Sequence, residues 1–142
     1  MPRPQLLRDA TAWITEAALR WPAQLRPRVA ERMGISPAAA GRLLQRLVDL
    51  QWLQRGGTPR RPVYSPGSMR QVVRRYPLAG LHEDTPWAQD FLPFFDLPDA
   101  VAQLAQHAFT ELLNNAIEHS GGSRVTVSMR QTPQQLQLLV SD

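Results

Sequence analysis

The chain has 142 residues, 43% hydrophobic and 20% charged, which fits one ordinary globular domain or two small ones. It has no cysteine, so disulfide frameworks and thiolate zinc sites are excluded, and no apolar run reaches the roughly 20 residues that span a bilayer. Fourteen of the sixteen arginines fall in residues 1–75 against four acids, while residues 76–142 hold two against eight, a split that predicts a basic module with a polyanionic partner followed by an acidic one.

In chain order, Leu6 to Trp21 keeps a helical apolar period through Leu7, Ala10, Ile14, Ala17 and Ala18, and Pro22 ends it. Pro27 suits the first turn of a short second helix, Arg28 to Met33. Gly34-Ile35 is a tight turn. Ser36 can cap a third helix, with Pro37 at its first position, running from Ala38 to about Leu50. Gln51–Arg55 and Arg60–Tyr64 are strand candidates around a Gly56-Gly57-Thr58-Pro59 turn.

Helix, glycine turn, capped helix and then a β-hairpin resembles the winged helix-turn-helix domain common in bacterial regulators. On this reading the outer face of the third helix meets DNA. Ser36 and Ala38 leave room for close approach to the major groove, and Arg42, Gln45 and Arg46 reach base edges or phosphates. Arg55, Arg60 and Arg61 on the hairpin would meet the phosphate backbone or the minor groove. The alternative use of such a domain is a protein contact.

Ser65-Pro66-Gly67-Ser68 breaks the pattern. Residues 67–97 are expected to be a connector carrying a short helix, with Trp87, Phe91, Phe94 and Phe95 as apolar anchors. His82-Glu83-Asp84-Thr85-Pro86 has the opening of a histidine-kinase phosphoacceptor box. Its proline falls one position early and no long dimerisation helix surrounds it, so that role is set aside.

Residues 98–119 form the most regular helix pattern in the chain. Val101, Leu104, Ala105, Ala108, Phe109, Leu112, Leu113, Ala116 and Ile117 make an apolar stripe, opposite Glu111, Asn114, Asn115 and Glu118. Two strands follow, Arg124–Arg130 and Gln135–Val140, the second running into Asp142.

Glu111-Leu112-Leu113-Asn114-Asn115-Ala116 resembles the N-box of the GHKL ATPases, the superfamily of gyrase B and the histidine-kinase catalytic domains. The resemblance implies that Asn115 coordinates Mg²⁺ through its side-chain oxygen and that Glu111 is the catalytic base in hydrolytic members. It implies an ATP site that includes Asn115, Glu118 and Asp142, with Asp142 accepting the adenine amino group. The glycine boxes that follow such an Asp are absent, so a truncated ATP-binding domain is expected, inactive by itself and without tight ATP binding.

The sequence thus predicts an α+β protein: a winged helix over 1–66, a connector over 67–97, and over 98–142 a partial α/β sandwich of one long helix and an antiparallel hairpin. The expected function is a cytoplasmic bacterial transcription regulator that binds DNA, uses ATP and Mg²⁺ in its full-length form, forms a homodimer and has no membrane partner. Two other readings stay open. One is a GHKL ATPase or protein-serine kinase whose winged helix docks a partner. The other is a plain DNA-binding regulator whose second module is a dimerisation element.

Overall fold

The apolar period over residues 6–21 is continuous, but the helix it predicts is not. In the computed structural model, which describes residues 4–82 and 84–141, α1 (Pro4–Thr11) and α2 (Ile14–Arg20) are separate. The Ala12 and Trp13 N–H groups donate to Asp9 and Ala10 carbonyls three residues back, at 3.3 and 3.1 Å, so the chain turns there. Neither Gly nor Pro stands at the turn; packing makes it. Ala10 and Ile14 on either side are both fully buried, and the Trp13 indole comes to lie under the Arg32 guanidinium, 4.3 Å from the ring centre.

α3 (Leu25–Met33) starts earlier than expected, with Pro27 third in the helix, where no intrahelical donor is required. Gly34 ends it in the left-handed region at φ 65°. The Ser36 hydroxyl accepts from the Ala39 N–H at 3.1 Å and Pro37 opens α4 (Pro37–Asp49). Ile14, Leu25, Val29, Leu43, Leu44 and Leu47 are buried from these helices into one core, with Trp52, Leu53 and Tyr64 from the hairpin.

The hairpin strands are β1 (Leu53–Gly57) and β2 (Pro62–Pro66), antiparallel, with Leu53 opposite Pro66 and Gly57 opposite Pro62. Both strands lie two residues further along the chain than their expected spans. The tip closes by reciprocal backbone bonds between Thr58 and Arg61, and the Thr58 hydroxyl also accepts from the Arg61 N–H. The hairpin is clamped to the end of α4. Gln51 takes φ 70°, its carbonyl accepts from the Met69 N–H, and its side-chain oxygen accepts from the Ser68 hydroxyl at 2.6 Å. A Cβ at Gly67 would stand 2.1 Å from that carbonyl, so only glycine fits where the strand passes the helix end.

The expected connector over 67–97 is instead largely structured. Arg70–Pro77 is strand β3, and a three-stranded sheet runs in the order β3-β4-β5, with β4 (Arg124–Gln131) in the middle and β5 (Leu136–Ser141) at an edge. The sequence pattern paired β4 and β5 but could not find β3, whose partner lies some fifty residues away. A helical turn α5 (Asp84–Pro86), a π turn (Trp87–Phe91) and a 3₁₀ turn (Leu92–Phe94) follow β3 and bury Trp87 and Phe91. Glu83 lies outside the described residues.

α6 (Asp99–His119) packs on β5 and the π turn. Its stripe divides. Ala105, Phe109 and Leu113 are buried, with Ala116 and Ile117 partly so, whereas Leu104 is 71% exposed, Leu112 40% and Val101 39%. Nine apolar positions wrap a wider arc than a three-stranded sheet covers.

The chain divides into two compact units, Met1–Gln71 with Gln131–Gln134, and Val72–Arg130 with Gln135–Asp142. The first boundary between them falls after Gln71. Both sheets are antiparallel and the architecture is α+β. Among the described residues no helix is long and apolar enough to cross a membrane.

Candidate nucleic-acid interface and a cleft at the end of the long helix

Three stretches of the first unit converge because of the turns just described. Gly34 and the Ser36 cap set α4 against α3, and the Gln51–Gly67 clamp sets the hairpin against α4. Between them lies a groove of about 550 Å³, bordered by Arg26 from α3, Ala38, Arg42 and Gln45 from α4, and Arg55 and Arg60 from the hairpin. All six of these residues are exposed, and no acid is among the described residues of the lining. Four guanidinium groups on one concave surface make a strongly positive potential that favours a polyanion.

Of the DNA-facing residues predicted from sequence, Ala38, Arg42, Gln45, Arg55 and Arg60 meet at this groove. Ser36 has a structural job, its hydroxyl being engaged with the Ala39 N–H. Arg46 and Arg61 are exposed but stand outside the lining.

Arg26 was not foreseen. Its Nε donates to the Pro37 carbonyl at 2.9 Å, tying the start of α3 to the start of α4. Its guanidinium lies across Gly41, where a Cβ would be 3.1 Å from the nearest guanidinium nitrogen. A glycine inside an otherwise regular helix was the available signal, since it costs roughly 1 kcal/mol against alanine and calls for a close approach.

Other arginines of this unit are held on indoles. Arg20 and Arg28 lie 5.3 and 4.6 Å from the Trp21 ring centre, and Arg32 stacks on Trp13. The arginine excess thus has two uses, one in packing and one along the groove.

In the second unit, Leu112, Asn115, Ala116, His119 and Ser120 of α6 and its cap face Val140 and Ser141 of β5 across an open cleft of about 270 Å³. Asn115 therefore stands beside the end of the strand that leads to Asp142, which itself lies outside the described residues. Glu111 and Glu118 are exposed and outside the lining; Glu118 Oε2 is 3.7 Å from His119 Nε2. His119 and Ser120 were not foreseen as cleft residues. The i, i+4 spacing of Asn115 and His119 would have placed both on one face.

The donor set bears on Mg²⁺. The cleft offers one carboxamide, two hydroxyls and one imidazole, and no group of three His, Cys, Asp or Glu that could hold a metal occurs among the described residues. Mg²⁺ prefers oxygen and commonly completes its shell with water and substrate phosphates. Among the described residues Asn115 and the two hydroxyls are the cleft's side-chain oxygen donors.

Comparison with family models, with curated proteins and with solved structures finds no match to this chain.

Proposed function

We propose that the protein is a bacterial DNA-binding transcription regulator whose first unit is a winged helix. α4 enters the major groove and the β1–β2 hairpin is the wing. The observation that carries this reading is the convergence of Arg26, Arg42, Arg55 and Arg60 on one groove, together with Gln45 on the exposed face of α4. Guanidinium groups bind phosphate as paired donors, and side chains on an exposed helix face read base edges. The test is fluorescence anisotropy of a labelled duplex with the full chain across salt concentrations. If about six guanidiniums meet phosphates, log K falls with log salt at a slope near −5 to −6. A slope near zero, or no binding at about 50 mM salt, removes the reading.

A nucleotide role for the second unit is proposed on one specific observation: Asn115 and the end of β5 share a cleft. In that reading the Asn115 oxygen holds Mg²⁺ against the phosphates, Asp142 accepts the adenine amino group, and Glu118 stands nearby. Glu111, one turn before Asn115 and outside the cleft lining, is the base only if a water can be held within its hydrogen-bond reach. Binding is therefore the first claim and hydrolysis is secondary. Titration with millimolar Mg-ATP, followed by amide chemical shifts, is expected to move Asn115, His119 and Ser141 and to leave the Asn115→Ala variant unmoved. Equal shifts in both proteins remove this half of the proposal. Regulation follows only if ATP and DNA change each other's affinity by the same factor.

A further inference from the structure

Ala38, Arg42, Gln45 and Asp49 lie at i, i+4, i+7 and i+11, one stripe along the exposed face of α4. Asp49 is out of keeping there on two counts. A carboxylate at the last residue of a helix opposes the helix dipole, and on a face turned to DNA it repels phosphate. What it does is hold Gln45. The Gln45 Nε2 donates to Asp49 Oδ1 at 3.0 Å. An ionised carboxylate only accepts, so the nitrogen end of the amide must face it; the flipped amide would set oxygen against oxygen. The Gln45 oxygen is thereby turned away from Asp49, and one N–H is left over.

An acceptor beside a single remaining donor matches adenine, which offers the N6 amino group and the N7 acceptor in the major groove. Guanine and thymine oppose it, because each presents an acceptor where the amide oxygen would sit. Cytosine offers a donor but no second partner. Arg42, three residues earlier and about 4.5 Å along the helix axis, is displaced by little more than one base-pair step. Its fork of donors matches O6 and N7 of guanine.

We infer that Arg42 and Gln45 read neighbouring base pairs, guanine by Arg42 and adenine by Gln45, with Asp49 as the residue that positions the Gln45 amide. The inference rests on the DNA-binding reading above and names the sequence that reading leaves open.

Selection of the full chain on a duplex library with a randomised centre, followed by anisotropy on single-base variants of the best duplex, tests it. The wild-type protein is expected to select a guanine beside an adenine and to lose about tenfold or more in affinity when either pair is changed. Gln45→Ala is expected to abolish the preference for adenine and keep that for guanine. Asp49→Ala is expected to do two opposite things: discrimination at the adenine falls to within about threefold, because the freed amide can turn, while affinity averaged over sequences rises severalfold as a negative charge leaves. A merely structural Asp49 would lower affinity and leave the selected sequence unchanged. Both side chains are exposed, so folding is preserved, and circular dichroism confirms that for each variant. Binding with an adenine preference unchanged in Gln45→Ala or Asp49→Ala, or a wild-type site without that adenine, overturns the inference and leaves DNA binding intact. Failure to bind any duplex removes the DNA reading itself, and this inference with it.

Discussion

Alanine at Arg42, Arg55 and Arg60 together is expected to weaken duplex binding roughly a hundredfold near 0.1 M salt, and to reduce the slope of log K against log salt by about 2. The three residues come from α4, from β1 and from the turn at the hairpin tip, yet they border one groove. Arg55 and Arg60 on the hairpin each release close to one counterion when they neutralise a phosphate, and Arg42 gives up its base contact, so three lost contacts multiply. All three side chains are exposed, and their removal is expected to change folding stability by no more than about 0.5 kcal/mol each. A matched control separates groove from net charge. Alanine at Arg20, Arg28 and Arg32 removes the same charge from arginines held on Trp21 and Trp13. That variant is expected to keep most of its DNA affinity and to lose stability, at about 0.5–1 kcal/mol per exposed cation–π contact. Equal losses of DNA affinity in the two variants would mean that overall charge, and not the groove, binds DNA.

Phe109→Ala is expected to destabilise the second unit by about 3–5 kcal/mol. Phe109 is fully buried, with its ring centre 5.4 Å from that of Trp87 and 5.0 Å from that of Phe91, both tilted contacts. It joins α6 to the π turn, and its loss leaves a cavity between rings that cannot all close in. A small domain's whole stability is about 5–15 kcal/mol, so this one change removes a large share of it. Urea unfolding followed by amide exchange is expected to show early opening of α6, β4 and β5. The first unit has its own core of Ile14, Val29, Leu43 and Leu47, and is expected to keep binding duplex DNA. A loss below about 1 kcal/mol would mean that the aromatic cluster is not the centre of that core.

One flank of α6 is left uncovered. Leu104 and Leu112 continue the apolar pattern of the helix but remain exposed, and Leu139 on the edge strand is 64% exposed. Apolar patterning reports which residues resist water and not how much surface the chain supplies to cover them.

By itself the sequence determined the features that depend on neighbours a few residues apart. Gly34, the Ser36 cap and Pro37 fix the ends of α3 and α4, because a left-handed turn and an unsatisfied helix N-terminus are local problems with local solutions. The same holds for the hairpin around Gly56-Gly57-Thr58, for α6, and for Trp87 and Phe91 as anchors. The outer arginines of α4 and the hairpin were legible as a group, since helical period and turn position place them. Tertiary structure alone decided the rest. It broke the first helix at Ala12 and Trp13, moved the hairpin strands two residues along the chain, and paired β3 with β4 across some fifty residues. It brought Arg26 to the groove over Gly41 and set Asn115 beside the end of β5. Each of these follows from contacts between segments distant in sequence. Their energy comes from shared burial and from backbone pairing, which no window of ten or fifteen residues contains.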